Sequence, residues 1–426
     1  MLEDFLHFVW RTRRIDIRNL RSTQGHKIQI FNFGHYNTDA GPDFLEAKIE
    51  IDHTLWAGNV EMHLKSSDWY KHKHQHDPAY NNVILHVVLE HDKEVYLPTG
   101  EKIPCLKLKK LIDNDLVHRY KMLLAQSNFI PCQEELTLVP TVVKLSVLDR
   151  LLVERLELRT VHLKQRFDLY KNDWEEIAYQ HLAACFGLKV NKEAFDMLSR
   201  SLPFRILLKH RDSLFQLESL LFGQAEMLSE EFEDTYPNQL KKEYQFLQKK
   251  YNLKAIPKSA WKYMRMRPAN FPSIRIAQFA QFIYQTEHLF SKMLVAENEK
   301  EIHNLLRVKI SGYWKTHFKF DKASKATEKR LGKGFKDLII INGVAPLLFL
   351  YSKMKAAPEM LEKAIKLLES IKAEENKLIK EFRKIGFQTA HSGDSQSLLQ
   401  LYGSYCSKKK CASCGIGNSL LKTKKR

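Results

Sequence analysis

The hydrophobic periodicity of the chain changes near residue 148, and this change limits the fold more than any other feature. The segment from Glu3 to Trp10 spaces its apolar residues as a short amphipathic helix. The segments after it predict strands at residues 27–33, 45–51, 55–65 and 83–90, with a hairpin around 95–106. From Leu148 onward, beginning with LDRLLVERLELRTVHL, leucines recur at helical intervals. We therefore predict an α+β protein, an N-terminal α/β module followed by an all-helical domain.

The length of 426 residues also predicts more than one domain, because single domains usually hold about 100 to 200 residues. We divide the chain into a module at residues 1–110, a connection at 111–147, a helical domain at 148–400, and a cysteine group with a basic tail at 401–426. Glycine and proline interrupt the helical pattern at 187, 203, 237, 257, 268–272 and 332–334. These breaks predict roughly ten helices.

The charge balance predicts a polyanionic partner. The chain carries 68 Lys and Arg against 50 Asp and Glu, a formal charge of +18, which attracts nucleic acid; the alternative is a basic surface that serves solubility alone. The opening MLEDFLHFVWRTRR places acids before its apolar residues, unlike a secretory signal. The apolar stretch LIIINGVAPLLFL is shorter than the roughly 20 residues needed to cross a bilayer, so we predict a buried helix, no membrane association and a cytoplasmic protein.

Chemically informative residues concentrate in the stretch GPDFLEAKIEIDHTLWAGNVEMHLKSSDW. Asp43 follows Gly-Pro at the start of a strand, and Glu61, His63 and Lys65 alternate along the next strand, so these three side chains share one face. Two carboxylates from adjacent strands can hold a hard cation such as Mg²⁺, while a nearby Lys or His assists a water. The alternative is a half-buried strand whose polar residues are solvated on its open face.

The same stretch resembles the PD-(D/E)XK nuclease superfamily, with Pro42-Asp43 followed by Glu61-Met62-His63 and histidine where lysine is usual. The resemblance implies a restriction-endonuclease-like core in which Asp43 and Glu61 ligate Mg²⁺ or Mn²⁺. It further implies that His63 or Lys65 takes the lysine's role and that Glu3, on the preceding helix, is a further metal ligand. The N-terminal region, with NVILHVV and the later Phe-Ile-Pro-Cys at 129–132, also resembles a bacterial family known only as a domain of unknown function.

A histidine-rich segment follows, in which His72, His74 and His76 alternate before Asp77, and His86 lies in the next strand. A zinc site could be drawn from these residues. We favour an exposed loop for most of them, with His86 and Asp77 supporting the carboxylate site from behind. The neighbouring residues 68 and 69 are expected to shape the loop.

Three cysteines near the end, Cys406, Cys411 and Cys414, have the spacing C-x4-C-x2-C. The C-x2-C half is typical of thiolate knuckles that bind Zn²⁺ or an Fe–S cluster. Cys132 is our first choice for a fourth ligand, with Cys185 or a histidine as the alternative. Free reduced thiols in a C-terminal tail are the other interpretation.

The helical domain interleaves Arg265, Arg267 and Arg275 with aromatic residues, a mixture used for phosphate contact and base stacking and equally for packing on a core. Together, these features favour a metal-dependent nuclease that hydrolyses phosphodiester bonds in DNA or RNA. One alternative is a non-catalytic nucleic-acid-binding protein on the same fold, and another is a scaffold without affinity for polyanions.

Overall fold

The computed structural model describes residues 3–37 and 39–422. Contacts between residues divide the chain into two units: unit 1 takes Met1–Leu151 and Leu398–Arg426, and unit 2 takes Leu152–Ser397. The predicted connection at 111–147 and the cysteine segment therefore belong to unit 1 together with the sheet. Residues 423–426 of the predicted basic tail lie outside the described residues.

Unit 1 is built on one seven-stranded sheet. Its strands are β1 (Leu20–Arg21), β2 (Lys27–Asn32), β3 (His35–Tyr36), β4 (Phe44–Ile51), β5 (Thr54–Lys65), β6 (Val83–Glu90) and β7 (Cys105–Lys107). The order is β1-β2-β4-β5-β6-β7, with β3 paired to the start of β4. Pairing is antiparallel as far as β4–β5 and parallel for β5–β6 and β6–β7. The four longer strands confirm the predicted ones, whereas the predicted hairpin contributes only a bridge between Tyr96 and Lys102 and then β7.

Helices account for most of the remaining chain. They are α1 (Glu3–Arg11), α2 (Asp68–Lys71), α3 (Asn114–Ala125), α4 (Thr141–Leu169), α5 (Trp174–Phe186), α6 (Lys192–Ser201), α7 (Phe204–Lys209), α8 (Leu214–Gln224), α9 (Thr235–Tyr251), α10 (Pro272–Gln285), α11 (Leu289–Val295), α12 (Glu299–Leu305), α13 (Tyr313–Thr316), α14 (Lys333–Ile339), α15 (Ala345–Met354), α16 (Pro358–Ser370), α17 (Lys377–Lys384), α18 (Ser392–Gln400) and α19 (Gly415–Lys422). Five short 3-10 turns lie among the described residues at His74–His76, Pro78–Tyr80, Gln133–Leu138, Lys258–Ala260 and Pro268–Asn270. Two π-helical segments occur at Ile340–Val344 and Leu401–Cys406.

The core of unit 1 lies between the sheet and α1. The helix buries Phe5, Leu6, Phe8, Val9 and Trp10, as its spacing predicts, and packs against β5. The C-terminal segment completes this core, because Ala412 and Leu421 join the same buried cluster. Arg14 holds the end of α19 in place, because its guanidinium donates to the carbonyl oxygens of Leu421 and Lys422.

Unit 2 is helical, with one small hairpin of β8 (His317–Lys319) and β9 (Lys322–Ala323). Its helices pack around a single large apolar core. Pro237, predicted as a break, lies in the first turn of α9, where the helix needs no backbone N–H from that residue.

One helix among the described residues, Lys333–Met354, is long and apolar enough to cross a bilayer by length and composition, and 67% of its apolar window is buried in the fold. Its apolar residues are part of the core of unit 2. The prediction that this stretch forms a buried helix is confirmed, although the helix is longer than its apolar sequence indicates.

Candidate functional site

The fold brings Asp43 and Glu61 together at the start of β4. The backbone N–H of Asp43 donates to Glu61 Oε2 at 3.1 Å, and the N–H of Met62 donates to Asp43 Oδ2 at 2.9 Å. The pairing of β4 with β5 shifts register just after Phe44, and Glu46 in this bulge has φ +58°. Such bulges re-aim side chains next to functional sites. The two carboxylates are therefore held in one place by backbone contacts from both strands.

Helix α1 adds two more groups to this place. Glu3 and His7 are four residues apart and share one side of the helix. His7 Nε2 lies 3.2 Å from Asp43 Oδ2. Burial opposes protonation of His7, but the hydrogen bond to Asp43 and its charge outweigh burial and raise the pKa of the imidazole. The pKa of Glu3 is raised as well, by burial and then by the charge of Asp43.

Glu61 is the most perturbed carboxyl of the group. Its side chain is nearly enclosed, with the residue 4% exposed. Burial, followed by the charge of Asp43, raises the pKa of Glu61 to about 9. A carboxyl in this position is neutral at neutral pH unless a cation lies beside it.

On its other side, Glu61 faces a cluster of imidazoles. His63 Nε2 lies 3.5 Å and His74 Nε2 lies 3.2 Å from Glu61 Oε1. The same His63 nitrogen is 3.0 Å from His72 Nδ1, and His63 Nδ1 is 2.9 Å from His86 Nε2. One ring nitrogen from each of His63, His72 and His74 lies within 4.8 Å of the other two. Burial and then the neighbouring imidazoles lower the pKa of His63 to about 2, so His63 is neutral at physiological pH.

The crossover between the parallel strands β5 and β6 positions two of these histidines. It contains α2 and two 3-10 turns, and it carries His72 and His74 back over the end of β5. Trp69, fully buried, packs its ring against His74 at 5.3 Å and against His86 at 5.6 Å between centroids. The crossover is thereby fixed against the sheet by an aromatic anchor.

Several predicted site residues come together. Asp43, Glu61, His63 and Glu3 form one group. The alternative of polar residues solvated on an open face does not hold for His63 and Glu61, which are 1% and 4% exposed. Lys65 is outside this group; it is exposed at the end of β5, opposite Glu90 of β6.

The histidine-rich segment divides into two parts. His72, His76 and Asp77 are exposed, which confirms the expectation of an exposed loop for most of these residues. His74 is buried beside Glu61, and a nitrogen of the exposed His72 lies close to those of His63 and His74. Asp77 caps the following 3-10 turn by accepting the N–H of Ala79. Sequence analysis missed His7, for which the only signal was its four-residue spacing from Glu3.

Four cysteines form a second cluster in unit 1. Cys406, Cys411 and Cys414 surround the turn before α19, and Cys132 precedes a 3-10 turn in the segment after α3. Burial, followed by the charge of Cys414, raises the pKa of Cys132 to about 12. Burial and then the charges of the other three cysteines raise the pKa of Cys406. The charges of the four thiols thus act on one another, although among the described residues the ligand atoms within 4.8 Å of one another are those of His63, His72 and His74 and not these sulfurs.

The backbone of this cysteine turn is tightly folded. A Cβ atom on Gly417 would lie 2.1 Å from the carbonyl oxygen of Cys411, so only glycine fits there. A stacked ring pair, Phe129 and Tyr402 at 5.2 Å, joins the segment of Cys132 to the π-helical segment that ends at Cys406.

The three arginines predicted to contact nucleic acid differ in their environments. Arg265 and Arg267 are exposed in the loop before α10. Arg275 is 6% exposed, stacks on Phe335 at 3.6 Å and donates to two amide oxygens on the same helix and the turn before it. Arg275 is therefore a core residue, and its prediction as a phosphate contact is corrected.

Comparison with known families identifies the class of this protein. A family model described as Protein of unknown function (DUF2851) matches residues 3–377. The chain belongs to this family, which confirms the resemblance to a domain of unknown function. None of the curated proteins or solved structures compared with the chain matches it. The matched range contains β4, β5 and Cys132, and it ends before Cys406, Cys411 and Cys414.

Proposed function

We propose that unit 1 is a nuclease that uses a divalent cation to hydrolyse phosphodiester bonds in DNA or RNA. The observation that carries the proposal is the meeting of Asp43 and Glu61, held by backbone contacts from two strands, with Glu61 buried. Glu3 of α1 supplies a third carboxyl on the same side, as the PD-(D/E)XK resemblance implies. A carboxylate group of this kind suits Mg²⁺ or Mn²⁺, which prefer oxygen ligands.

A bound divalent cation would activate water and neutralise phosphate charge. Water adds to phosphorus, the bond from phosphorus to one ester oxygen breaks, and that oxygen takes up a proton. His7 is the group of this chain best placed to hold the proton, because its Nε2 lies 3.2 Å from Asp43 Oδ2, beside the two carboxylates. In this proposal His7, rather than Lys65, takes the place of the superfamily's lysine.

The non-catalytic alternative rests on one observation. Histidine replaces the usual lysine at position 63, and Lys65 is turned to solvent. A protein that kept the fold but lost catalysis would bind nucleic acid through its positive charge and leave it intact. Binding of this kind weakens steeply with added salt. Salt-sensitive binding without cleavage is therefore the result that selects the alternative.

The test is cleavage of labelled single- and double-stranded DNA and RNA with Mg²⁺ or Mn²⁺. Wild type is compared with Asp43→Asn and Glu61→Gln at protein concentrations that give equal binding. Glu50→Gln, which removes a carboxylate from β4 outside the site, is the matched control. We expect cleavage in wild type and the control and its loss in both site variants; equal cleavage by all four proteins would refute the site.

The cysteine cluster enters the proposal as a structural metal site. Cys132, Cys406, Cys411 and Cys414 supply the four thiolates that Zn²⁺ or an Fe–S cluster requires. Their mutual electrostatic interaction and the tight turn at Gly417 support this assignment. Visible absorption of the purified protein distinguishes the two metals, because a thiolate Zn²⁺ site is colourless and an Fe–S cluster is brown.

A further inference from the structure

A second set of potential metal ligands lies beside the two carboxylates. Imidazole nitrogens of His63 and His74 lie 3.5 and 3.2 Å from the Oε1 atom of Glu61, and His72 Nδ1 lies 3.0 Å from the same His63 nitrogen. His63 is on β5, and the other two histidines come from the crossover after it. A strand and its following connection thus converge on one point.

We propose that His63, His72, His74 and Glu61 form a binding site for a transition-metal cation of the Zn²⁺ type, separate from the hard-cation position at Asp43. The inference rests on the proposed function only in sharing Glu61. Imidazole nitrogens favour Zn²⁺ and similar metals over Mg²⁺. A set of three histidines and one carboxylate therefore selects a different metal from the oxygen ligands next to it.

The distances between the candidate ligands match such a site. Ligands held 2.0–2.1 Å from a tetrahedral Zn²⁺ lie roughly 3.4 Å from one another. Here the measured separations are 3.0 Å between His63 Nε2 and His72 Nδ1, and 3.2 and 3.5 Å from Glu61 Oε1 to His74 and His63. The three histidine atoms all lie within 4.8 Å of one another, and Glu61 Oε1 contacts two of these histidines, so side-chain movement of His72 would complete the set of four ligands.

Two further observations favour a ligand at this point. Within the described part of the chain, His74 Nε2 is buried and makes no hydrogen bond, although it lies near Glu61. His86 contacts the far nitrogen of His63 at 2.9 Å, so it is placed to fix the ring and leave Nε2 free to coordinate. Metal-binding histidines characteristically have such an outer partner.

The shared carboxylate links this site to the proposed chemistry. Glu61 directs Oε2 toward Asp43 and Oε1 toward the histidines. A carboxylate between two cation positions is the arrangement expected of a two-metal phosphodiesterase, in which the metals stabilise the attacking and leaving oxygens. The histidine site would then be the second metal position of the same centre.

The test measures metal content instead of activity. Full-length protein is stripped with chelator, reloaded with Zn²⁺ or Co²⁺, desalted and analysed by elemental mass spectrometry and, for Co²⁺, by visible absorption. The variants are His72→Ala with His74→Ala, and the matched control is His76→Ala, an exposed histidine of the same crossover. Circular dichroism confirms that each protein is folded.

We expect the double variant to bind one equivalent less than wild type and to lose the tetrahedral Co²⁺ bands of nitrogen and oxygen ligation, while the control keeps both. The cysteine cluster contributes equally to all three proteins and cancels in the comparison. Equal metal content in wild type and the double variant would overturn the inference, as would equal loss in the control. Zinc binding without any cleavage would leave this site standing and refute the nuclease proposal alone.

Discussion

Replacing Glu61 by glutamine isolates the electrostatic cost of this buried carboxyl. Glutamine keeps the shape of the side chain and cannot ionise. Glu61 is enclosed, and its pKa rises from an ordinary 4.5 to about 9. The ionisable groups that act on it most strongly are Asp43, Glu3 and His7, with His63 and His74 within 3.5 Å of its Oε1 atom. In metal-free protein, wild type and Glu61→Gln should therefore differ in how their stability depends on pH.

The sign follows from proton linkage. Glu61 keeps its proton to a higher pH in the folded state than in the unfolded state. Its contribution to the free energy of unfolding is therefore fully present below pH 4.5 and is lost as pH rises toward about 9. Between these two pH values the free energy of unfolding falls by about 1.4 kcal/mol per pH unit. Between about pH 6 and about pH 8, wild type should lose about 3 kcal/mol relative to Glu61→Gln.

Hydrogen exchange of the β5 amides measures the difference in stability between wild type and Glu61→Gln. The free energy of opening of these amides reports on the strand that carries Glu61. Both proteins are stripped of metal and measured at the two pH values, and the difference between them cancels the other titrating groups. With Mn²⁺ at about 100 times its Kd, wild type should regain about 2.7 kcal/mol, which offsets most of the loss between the two pH values. A difference that does not change with pH in metal-free protein would refute the electrostatic argument.

Three further outcomes are expected. His86→Leu should weaken Zn²⁺ binding at the histidine site about 10- to 100-fold, because His63 loses its outer partner; His86→Gln, which can still accept from His63, should recover part of it in the same titration. Cys132→Ser should remove metal from the cysteine cluster, seen as lower metal content and a lower thermal unfolding temperature, and unchanged content would exclude Cys132 as a ligand. Arg265→Gln with Arg267→Gln should reduce the slope of log affinity for nucleic acid against log salt by about 2 if both contact phosphate; an unchanged slope would remove both from the interface.

Local patterns in the sequence were sufficient for the fold class and for the principal strands. Alternation along 55–65 and the apolar spacing of Glu3–Trp10 reflect one-sided burial of a strand or helix, which depends on nearby residues only. The predicted boundary at 148 lies close to the division at Leu151, although α3 already begins at Asn114 and α4 runs across the division. The sequence did not predict that residues 111–147 belong to unit 1, because this segment packs against the C-terminal segment, as in the ring contact of Phe129 with Tyr402.

The sequence by itself predicted the pair Asp43 and Glu61, because consecutive strands usually pair, whereas the register shift after Phe44 belongs to the fold. Only the tertiary structure decided the rest of the site. The crossover after β5 could have pointed anywhere over the sheet, and Trp69 packing sets where His72 and His74 come to rest. Long-range packing likewise buries Arg275 in the helical core. The periodicity of the side chains predicts which face of a helix or strand is buried. Which residues pack against that face depends on contacts between segments that are far apart in the chain.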